Sequence, residues 1–320
     1  LEKRELVLEV EALRRRLDHR DDLEARLIGR SPQMAKVRQL ILDVAPAAVD
    51  VLIFGETGTG KEMVARCLHD LSGAKQESYV ALNCGGMADN LLDSELFGHE
   101  PGAFTGAQKR RIGKIEYASG GTLFLDEVES MPMNMQIKLL RVLQERVIER
   151  LGSNQLVPVS CRVVAASKDD LKLLSDQGKF RADLYYRLNV VRIELPPLRE
   201  RREDIPALYD QFLLQAAKRY NRPPPTLTPE HLRRLMALDW PGNIRELRNA
   251  AECHALGIGR DAPASGGGES QSLTETVENY ERLLIAAEFT RQQGNVARTS
   301  EALKVARTTL HDKLKKYGLI

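Results

Sequence analysis

The chain has 320 residues, 42% of them hydrophobic and 29% charged, with a formal net charge of +2. Two or three domains fit that length, and the apolar fraction is enough to build their cores, which excludes wholesale disorder. No run of about 18 apolar residues occurs, which excludes a membrane-spanning helix, and the near-zero charge taken alone argues against a nucleic-acid binder.

In chain order, residues 1–27 are dense in Glu and Arg, and Leu6, Val10, Leu13 and Leu17 recur at steps of four and three. That spacing fits either the seam of a short coiled coil or the apolar stripe of a solvated connector helix. The chain opens on Leu1 rather than Met, so this helix is expected to join a further segment upstream. From residue 28 to 197, apolar runs alternate with longer helical patterns. The runs are Val51–Phe54, Tyr79–Leu82, Thr122–Leu125, Arg162–Ala166 and Val190–Ile193. Continuous apolar strands separated by helices predict a parallel sheet covered on both faces. Residues 198–258 carry no such run and are expected to be all-helical. Residues 259–272, rich in Gly, Ser and Ala, read as a flexible linker, and residues 273–320 as helices again. The four cysteines contain no Cys-x-x-Cys pair, a usage that suits a reducing cytoplasm better than a disulfide framework or a zinc site.

The first motif with chemistry follows the first strand. Gly55-Glu56-Thr57-Gly58-Thr59-Gly60-Lys61-Glu62 fits G-x-x-x-x-G-K. Its glycines let successive backbone N–H groups point at phosphate oxygens. The helix opening near Lys61 adds its positive end, and the lysine reaches the terminal phosphates. Glu62 departs from the general motif, where Ser or Thr supplies a hydroxyl to magnesium. The run Thr122–Leu125 then ends in Asp126-Glu127. Asp126 is suited to holding Mg2+, and Glu127 to orienting and deprotonating the water that attacks the terminal phosphate. The bland alternative is a strand ending in two solvated acids. The two motifs together predict an ATPase using ATP and Mg2+.

Between them lies Gly102-Ala103-Phe104-Thr105-Gly106-Ala107. By composition this is a surface turn or a finger presenting Phe104 to a partner. The hexapeptide resembles the signature loop of the sigma-54-dependent transcriptional activators, a branch of the AAA+ ATPases, and the resemblance extends over the whole chain. It implies an AAA+ α/β nucleotide-binding subdomain, an all-α lid and a C-terminal Fis-type helix-turn-helix. In the family this loop contacts the sigma-54 form of RNA polymerase, with Phe104 and Thr105 as key contacts. A Glu after the phosphate-loop Lys is usual there, which accounts for Glu62. The resemblance further implies that Asn83 is a switch coupling Glu127 to the nucleotide state. It makes Arg181 and Arg187 arginines directed at the neighbouring subunit's nucleotide, where a guanidinium neutralises charge on the transferring phosphoryl group. It makes Arg245, in Trp240-Pro241-Gly242-Asn243-Ile244-Arg245, the lid arginine that senses nucleotide in cis. Ile28 would line the adenine pocket. Ser167 would offer a hydroxyl near the γ-phosphate, beside Lys168, which stands where many relatives carry an amide. Pro101 and the stretch from Asp183 to Pro206 narrow the likeness to one branch of the family.

At the C-terminal end, residues 295–303 and 306–316 read as helix, short turn, helix. Val296, Ala302, Leu303, Val305, Leu310 and Leu314 are the expected small core. Residues 295–320 hold six Lys/Arg against two Asp/Glu, a local charge of +4. Arg298, Arg307, Thr308, Thr309, His311, Lys313 and Lys315 are candidate DNA contacts at helical spacing. A helical hairpin with a solvated basic face is the plainer alternative. The resemblance favours an enhancer-binding helix-turn-helix, departing at Lys304, where relatives often carry Gly. It also implies paired helices over 273–293 that dimerise, a ring of six subunits, no membrane, and an upstream receiver domain whose state the first helix transmits. The rival reading is a DNA-binding repressor of the same fold that uses ATP only for assembly.

Overall fold

All five predicted apolar runs are strands of one parallel sheet in the computed structural model of the chain. It describes residues 19–74, 76–258, 285, 289, 292, 295–303, 305 and 307–317. The coiled-coil positions 6–17, the linker 259–272, most of the predicted pairing helix 273–293 and Lys304 lie outside the described residues. The chain divides into two compact units, Leu1–Pro263 and Ala264–Ile320.

In the first unit the strands β1 (Val51–Phe54), β2 (Tyr79–Asn83), β5 (Thr122–Asp126), β8 (Arg162–Ser167) and β9 (Val191–Glu194) are ordered β2-β5-β8-β1-β9. Every neighbouring pair is parallel. Alternate residues of a strand point to opposite faces, and both faces are buried here. Leu52, Val80, Leu82, Leu123, Leu125, Val163 and Ala165 pack into one core. Val51, Ile53, Phe124, Val164, Ala166 and Ile193 pack into the other. The chain leaves β1 for the far edge at β2, returns through β5 and β8, then passes β1 to reach β9. The strand order therefore reverses between β8 and β1, and open α/β sheets bind ligands in the crevice outside the carboxyl ends at such a point.

Residues 19–26 form helix α1, which the sequence assigned to a connector; Leu23 and Leu27 are buried in the second core. Helix α2 (Pro32–Val44) starts at Ser31, whose side chain accepts from Met34 N, with Pro32 at the first helical position where no N–H is needed. Helices α3 (Lys61–Asp70), α4 (Asp89–Phe97), α5 (Lys114–Tyr117), α6 (Met133–Glu145), α7 (Leu171–Asp176) and α8 (Ala182–Leu188) complete the layers. Two small antiparallel pairs were not expected from the sequence: β3 (Gly98–His99) with β4 (Arg111–Ile112), and β6 (Val147–Glu149) with β7 (Leu156–Pro158). Two or three residues per strand leave no alternation to read.

Beyond Glu194 the unit is helical, as predicted: α9 (Ile205–Arg219), α10 (Pro229–Ala237) and α11 (Asn243–Ala255) enclose a separate core around the buried Trp240. The indole N–H of Trp240 donates to Leu235 O at 2.8 Å, so this large ring is buried with its one donor satisfied.

In the second unit, helices Val296–Leu303 and Arg307–Lys316 pack on Leu310, Leu314 and Ile285, with Val296, Leu303, Val305 and Tyr317 partly buried against them. Asn295 Oδ1 accepts from Arg298 N at 3.2 Å at the start of the first helix. Ala302, expected in this core, is exposed instead. Its place on the helix turns it outward, where a methyl group costs little.

Candidate functional site

The phosphate-loop sequence joins β1 to α3 at the head of the sheet. Gly58 has φ +81°, and a Cβ there would lie 2.3 Å from Gly242 O, so only glycine lets the loop and the lid backbone come this close. No side chain caps the start of α3, which leaves its first amides and the positive helix end to an anion. Lys61 turns back on its own loop, donating to Gly55 O at 2.7 Å and Glu56 O at 3.1 Å. Burial holds its ammonium below the usual lysine pKa, and Asp126, Glu129 and Glu127 oppose that shift. A cavity of about 430 Å³ opens over the loop, bounded by Thr57 to Val64, Asp126, Glu127, Lys168, and Arg245 with Arg248 of the lid. That size suits a nucleotide-sized molecule. Ile28 lines the same cavity and packs against the lid core. Glu62 borders it with its carboxylate paired to Arg66 at 2.8 Å.

The carboxylates come from the end of β5. Asp126 sits level with Asn83 across the β2–β5 pair. Its Oδ1 accepts from Glu127 N at 3.0 Å, and burial raises its pKa above the ordinary carboxylate value. Glu127 itself has a left-handed backbone, φ +53°, which turns the chain sharply as it leaves the strand. Its carboxylate lies against Gly85, where an added Cβ would meet Oε2 at 2.4 Å. Asn83 Oδ1 accepts from Gly85 N at 2.6 Å. Asn83 and Glu127 therefore flank the same glycine. Among the described residues no group of three or more His, Cys, Asp or Glu could by itself hold a metal ion.

The lid is tied to the loop. Asn243, fully buried, donates from Nδ2 to Thr57 O at 3.1 Å and to Glu56 Oε2 at 3.2 Å, while its Oδ1 accepts from Leu198 N at 2.7 Å. Ile244 N donates to Gly58 O at 2.9 Å. Arg199 grips Glu56 with two bonds of 2.9 and 2.6 Å, which holds that carboxyl below its ordinary pKa. Arg201, almost wholly buried, donates to Thr59 O at 3.2 Å, and burial lowers its pKa to about 10. Thr59 Oγ1 closes the loop on Glu56 O at 2.8 Å. The sequence singled out Arg245 here; Asn243, Arg199 and Arg201 went unread because their partners lie more than 140 residues away.

Ser167 stands differently from its expectation, and two further expected residues lie outside the cavity. Ser167 is buried, and its hydroxyl donates to Asp169 O at 2.7 Å; it is Lys168 that lines the cavity. Arg181 and Arg187 stand away from this chain's own cavity. Arg181 pairs with Asp183 at 2.7 Å, and Arg187 donates to Leu143 O at 2.7 Å.

The Gly102–Ala107 segment projects from the β3–β4 pair. Gly102 N donates to Ala107 O at 2.8 Å and Ala107 N to Phe104 O at 3.0 Å, closing it into a small ring. Gly102 and Gly106 both have positive φ. Phe104 is 46% exposed, its ring edge-on to His99 at 4.9 Å, and Thr105 is exposed beside it. Ala103 is half-buried against Gly152 at the turn between β6 and β7. Ala107 is 6% exposed, which corrects its expected place among the contact residues: its methyl packs inward as the loop closes. The root is held by Arg150, almost wholly buried, which bonds Glu116 at 2.9 and 2.7 Å and Glu100 at 3.0 Å.

In the second unit Arg298, Arg307, Thr309, His311 and Lys315 are exposed and Lys313 is half-buried; the side chain of Thr308 lies outside the described residues.

Comparison with known proteins adds three domain matches: the Sigma-54 interaction domain over residues 27–194, the AAA+ ATPase lid domain over 199–258, and the Fis family of bacterial regulatory proteins over 276–317. The chain is 55% identical over 323 residues to the C4-dicarboxylate transport transcriptional regulatory protein DctD of Pseudomonas aeruginosa, spanning all of this chain and 70% of that protein. It is 48% identical to DctD of Rhizobium meliloti, over 99% of this chain and 70% of that one. Among solved structures, NtrX from Brucella abortus in complex with ATP matches with a TM-score of 0.68 and 35% identity, over 98% of this chain and 74% of that one.

Proposed function

The chain belongs to the sigma-54-dependent transcriptional activators of the AAA+ class, and from that premise we propose that it hydrolyses ATP to remodel sigma-54 RNA polymerase at a promoter. The observation that carries this reading is the convergence of Lys61, Asp126 and Glu127 on one cavity roofed by Arg245. The uncapped start of α3 and the size of the cavity fit a nucleoside triphosphate. NtrX, similar over nearly the whole chain, has been solved with ATP.

Within this reading the residues act as follows. Ile28 bounds the base side of the cavity. The amides of Gly55 to Lys61, with Thr57, Gly58, Thr59 and Gly60 shaping the loop, receive the phosphates, and Glu56 and Glu62 hold the loop and helix in shape through Arg199 and Arg66. Lys61 exchanges its two backbone carbonyls for phosphate oxygens, a stronger charge-assisted contact. Asp126 and the phosphates fit Mg2+, an ion usually bound by one or two carboxylates plus phosphates, and that ion would offset charge developing on the transferred group. Glu127 accepts the proton of the attacking water, and Asn83, sharing Gly85 with it, fixes its orientation. Arg245 reads the phosphates from the lid. Arg181 and Arg187 complete the site of a neighbouring copy in a ring of six, a role that agrees with their distance from this chain's own cavity.

The Gly102–Ala107 loop then presents Phe104 and Thr105 to sigma-54 polymerase. The helix-turn-helix, dimeric and reading enhancer DNA with Arg298, Arg307, Thr308, Thr309, His311, Lys313 and Lys315, delivers the ring to the promoter in the cytoplasm. The functional boundaries we assign are 1–27 for the connector, 28–197 and 198–258 for the two parts of the ATPase, 259–272 for the linker and 273–320 for the DNA-binding part. The decisive experiment is open-complex formation at a sigma-54 promoter with purified chain. Activity should require ATP and be lost in Lys61→Ala and Glu127→Ala. Promoter opening without ATP hydrolysis would refute the proposal, and repression in its place would favour the assembly-only reading.

A further inference from the structure

The segment that joins β9 to α9 carries a cation that the proposed chemistry does not use. Arg201 is 2% exposed and lines the cavity over the phosphate loop, together with Met34 and Leu208. Its donors are poorly spent. One terminal nitrogen donates to Thr59 O at 3.2 Å, the other to the Met34 thioether sulfur, a weak acceptor, at 2.9 Å, and Nε has no partner. Among the described residues no carboxylate forms an ion pair with it. Asp204 acts on it only at longer range, and the Asp204 oxygens already accept from Arg30 N, Ser31 N and Ser31 Oγ. Buried charges are ordinarily paired, because desolvation goes uncompensated otherwise. Burial accordingly holds the Arg201 pKa down at about 10. A guanidinium short of an anion thus borders a cavity whose loop and uncapped helix are built to receive one.

We propose that Arg201 is a nucleotide-binding residue, a buried guanidinium whose missing counter-charge is supplied by the inner phosphates of the bound nucleotide. This deepens the reading of the cavity as an ATP site and rests on it. The surrounding charges say which phosphates are meant. Lys61 shares its field with Asp126, Glu129, Glu127 and Lys168. Arg201 feels none of these and responds to Asp204 alone. It therefore stands apart from the end of the cavity where the terminal phosphate would meet Asp126 and Glu127, and its counter-charge is common to ADP and ATP. The bond to Thr59 O holds the guanidinium against the phosphate loop. A phosphate oxygen would offer Nε and the sulfur-bound nitrogen charge-assisted bonds in place of none and a weak one. The filled cavity then relieves a desolvation cost that the empty one bears, and it does so at the joint between sheet and lid.

The test is equilibrium binding of adenosine, ADP and the non-hydrolysable β,γ-imido analogue of ATP to the full chain, with melting temperature recorded in parallel. Arg201→Met removes the charge and keeps the apolar length. It should bind ADP and the analogue about tenfold more weakly, by similar factors, and adenosine within about twofold of wild type. The rise in melting temperature that ADP produces should shrink, while the nucleotide-free protein melts close to wild type, since replacing an unpaired buried charge with an apolar chain is not destabilising in itself. Arg201→Gln, which keeps a donor for the Thr59 carbonyl, is measured in the same way and should show the same selective loss, so the test stands if the methionine variant does not fold. A merely structural role at the lid joint would weaken adenosine and ADP together, and that result would overturn the proposal. So would ADP affinity unchanged in either variant. Wild-type protein that binds neither ADP nor the analogue would instead overturn the ATP-site reading beneath it.

Discussion

Asn243 in the lid donates to the Thr57 carbonyl of the phosphate loop at 3.1 Å, across 186 residues of chain. The same side chain receives Leu198 N, so one amide joins the loop, the lid helix and the segment that connects lid to sheet. Asn243 has φ +51°, a left-handed backbone that asparagine tolerates better than most residues.

Asn243→Ala should therefore cost more than one hydrogen bond. It leaves Leu198 N buried and unpaired, removes the donor to Thr57 O, and puts a less tolerant residue at positive φ, for a loss of about 2–3 kcal/mol in stability. ATP affinity should fall as well, because the lid no longer closes on the loop. Denaturant unfolding and nucleotide titration check both, and a stable variant with full affinity would show that the bonds to the loop are dispensable.

The positions of Arg181 and Arg187, away from this chain's own cavity, lead to a mixing experiment. Glu127→Ala and Arg181→Ala should each be inactive alone. Mixed in equal amounts, about a quarter of the interfaces in randomly assorted rings would regain both an intact base and an intact arginine. ATP turnover should reappear on mixing. If the mixture stays as dead as its parts, Arg181 does not act in trans.

Thr105 is exposed at the tip of the Gly102–Ala107 loop and remote from the cavity residues in role. We expect Thr105→Ala to retain ATPase activity within about twofold, since surface changes away from a site cost little, and to lose transcription activation. A variant that still activates fully would take this hydroxyl out of the polymerase contact.

His69 supplies a pH dependence. Its ring is buried, with Nδ1 2.9 Å from Thr122 Oγ1 and the Tyr79 ring 5.4 Å away. Burial lowers its pKa below the ordinary value of 6.5, with Asp70 opposing. The folded state thus favours neutral imidazole, so its contribution is complete above about pH 6.5 and is lost as pH falls through the lowered folded value. Unfolding free energy measured between pH 7.5 and 5 should drop less steeply in His69→Gln than in wild type. Parallel slopes would assign the acid sensitivity elsewhere.

The parts legible in the sequence were those whose signal is local. Val51–Phe54 and Thr122–Leu125 are continuous apolar runs, and the doubly covered parallel sheet follows from them. Gly55 to Lys61 and Asp126-Glu127 state their chemistry within a few residues. What stayed hidden depends on contacts between distant segments. Asn243 lies inside the motif read for Arg245, and Arg199 in ordinary turn sequence, and only the fold brings them to Glu56 and Thr57. Ala107 shows the converse: motif membership named it a contact residue, while ring closure of its own loop turns it inward. Glu129 carries no signal in the sequence; only the turn after Glu127 buries its side chain.

Arg150 ties Glu100 and Glu116 together at the root, while Gly102 and Gly106, with open space around them, flank the exposed tip residues Phe104 and Thr105. In mechanical terms the projection is a lever with a stiff fulcrum and a compliant end. A rotation introduced at the root would be carried toward the tip through the Arg150 guanidinium, which is bonded to both carboxylates at once. The soft end conforms to whatever surface it meets, so the stroke is set by the body and the fit by the tip, and the two can be altered separately.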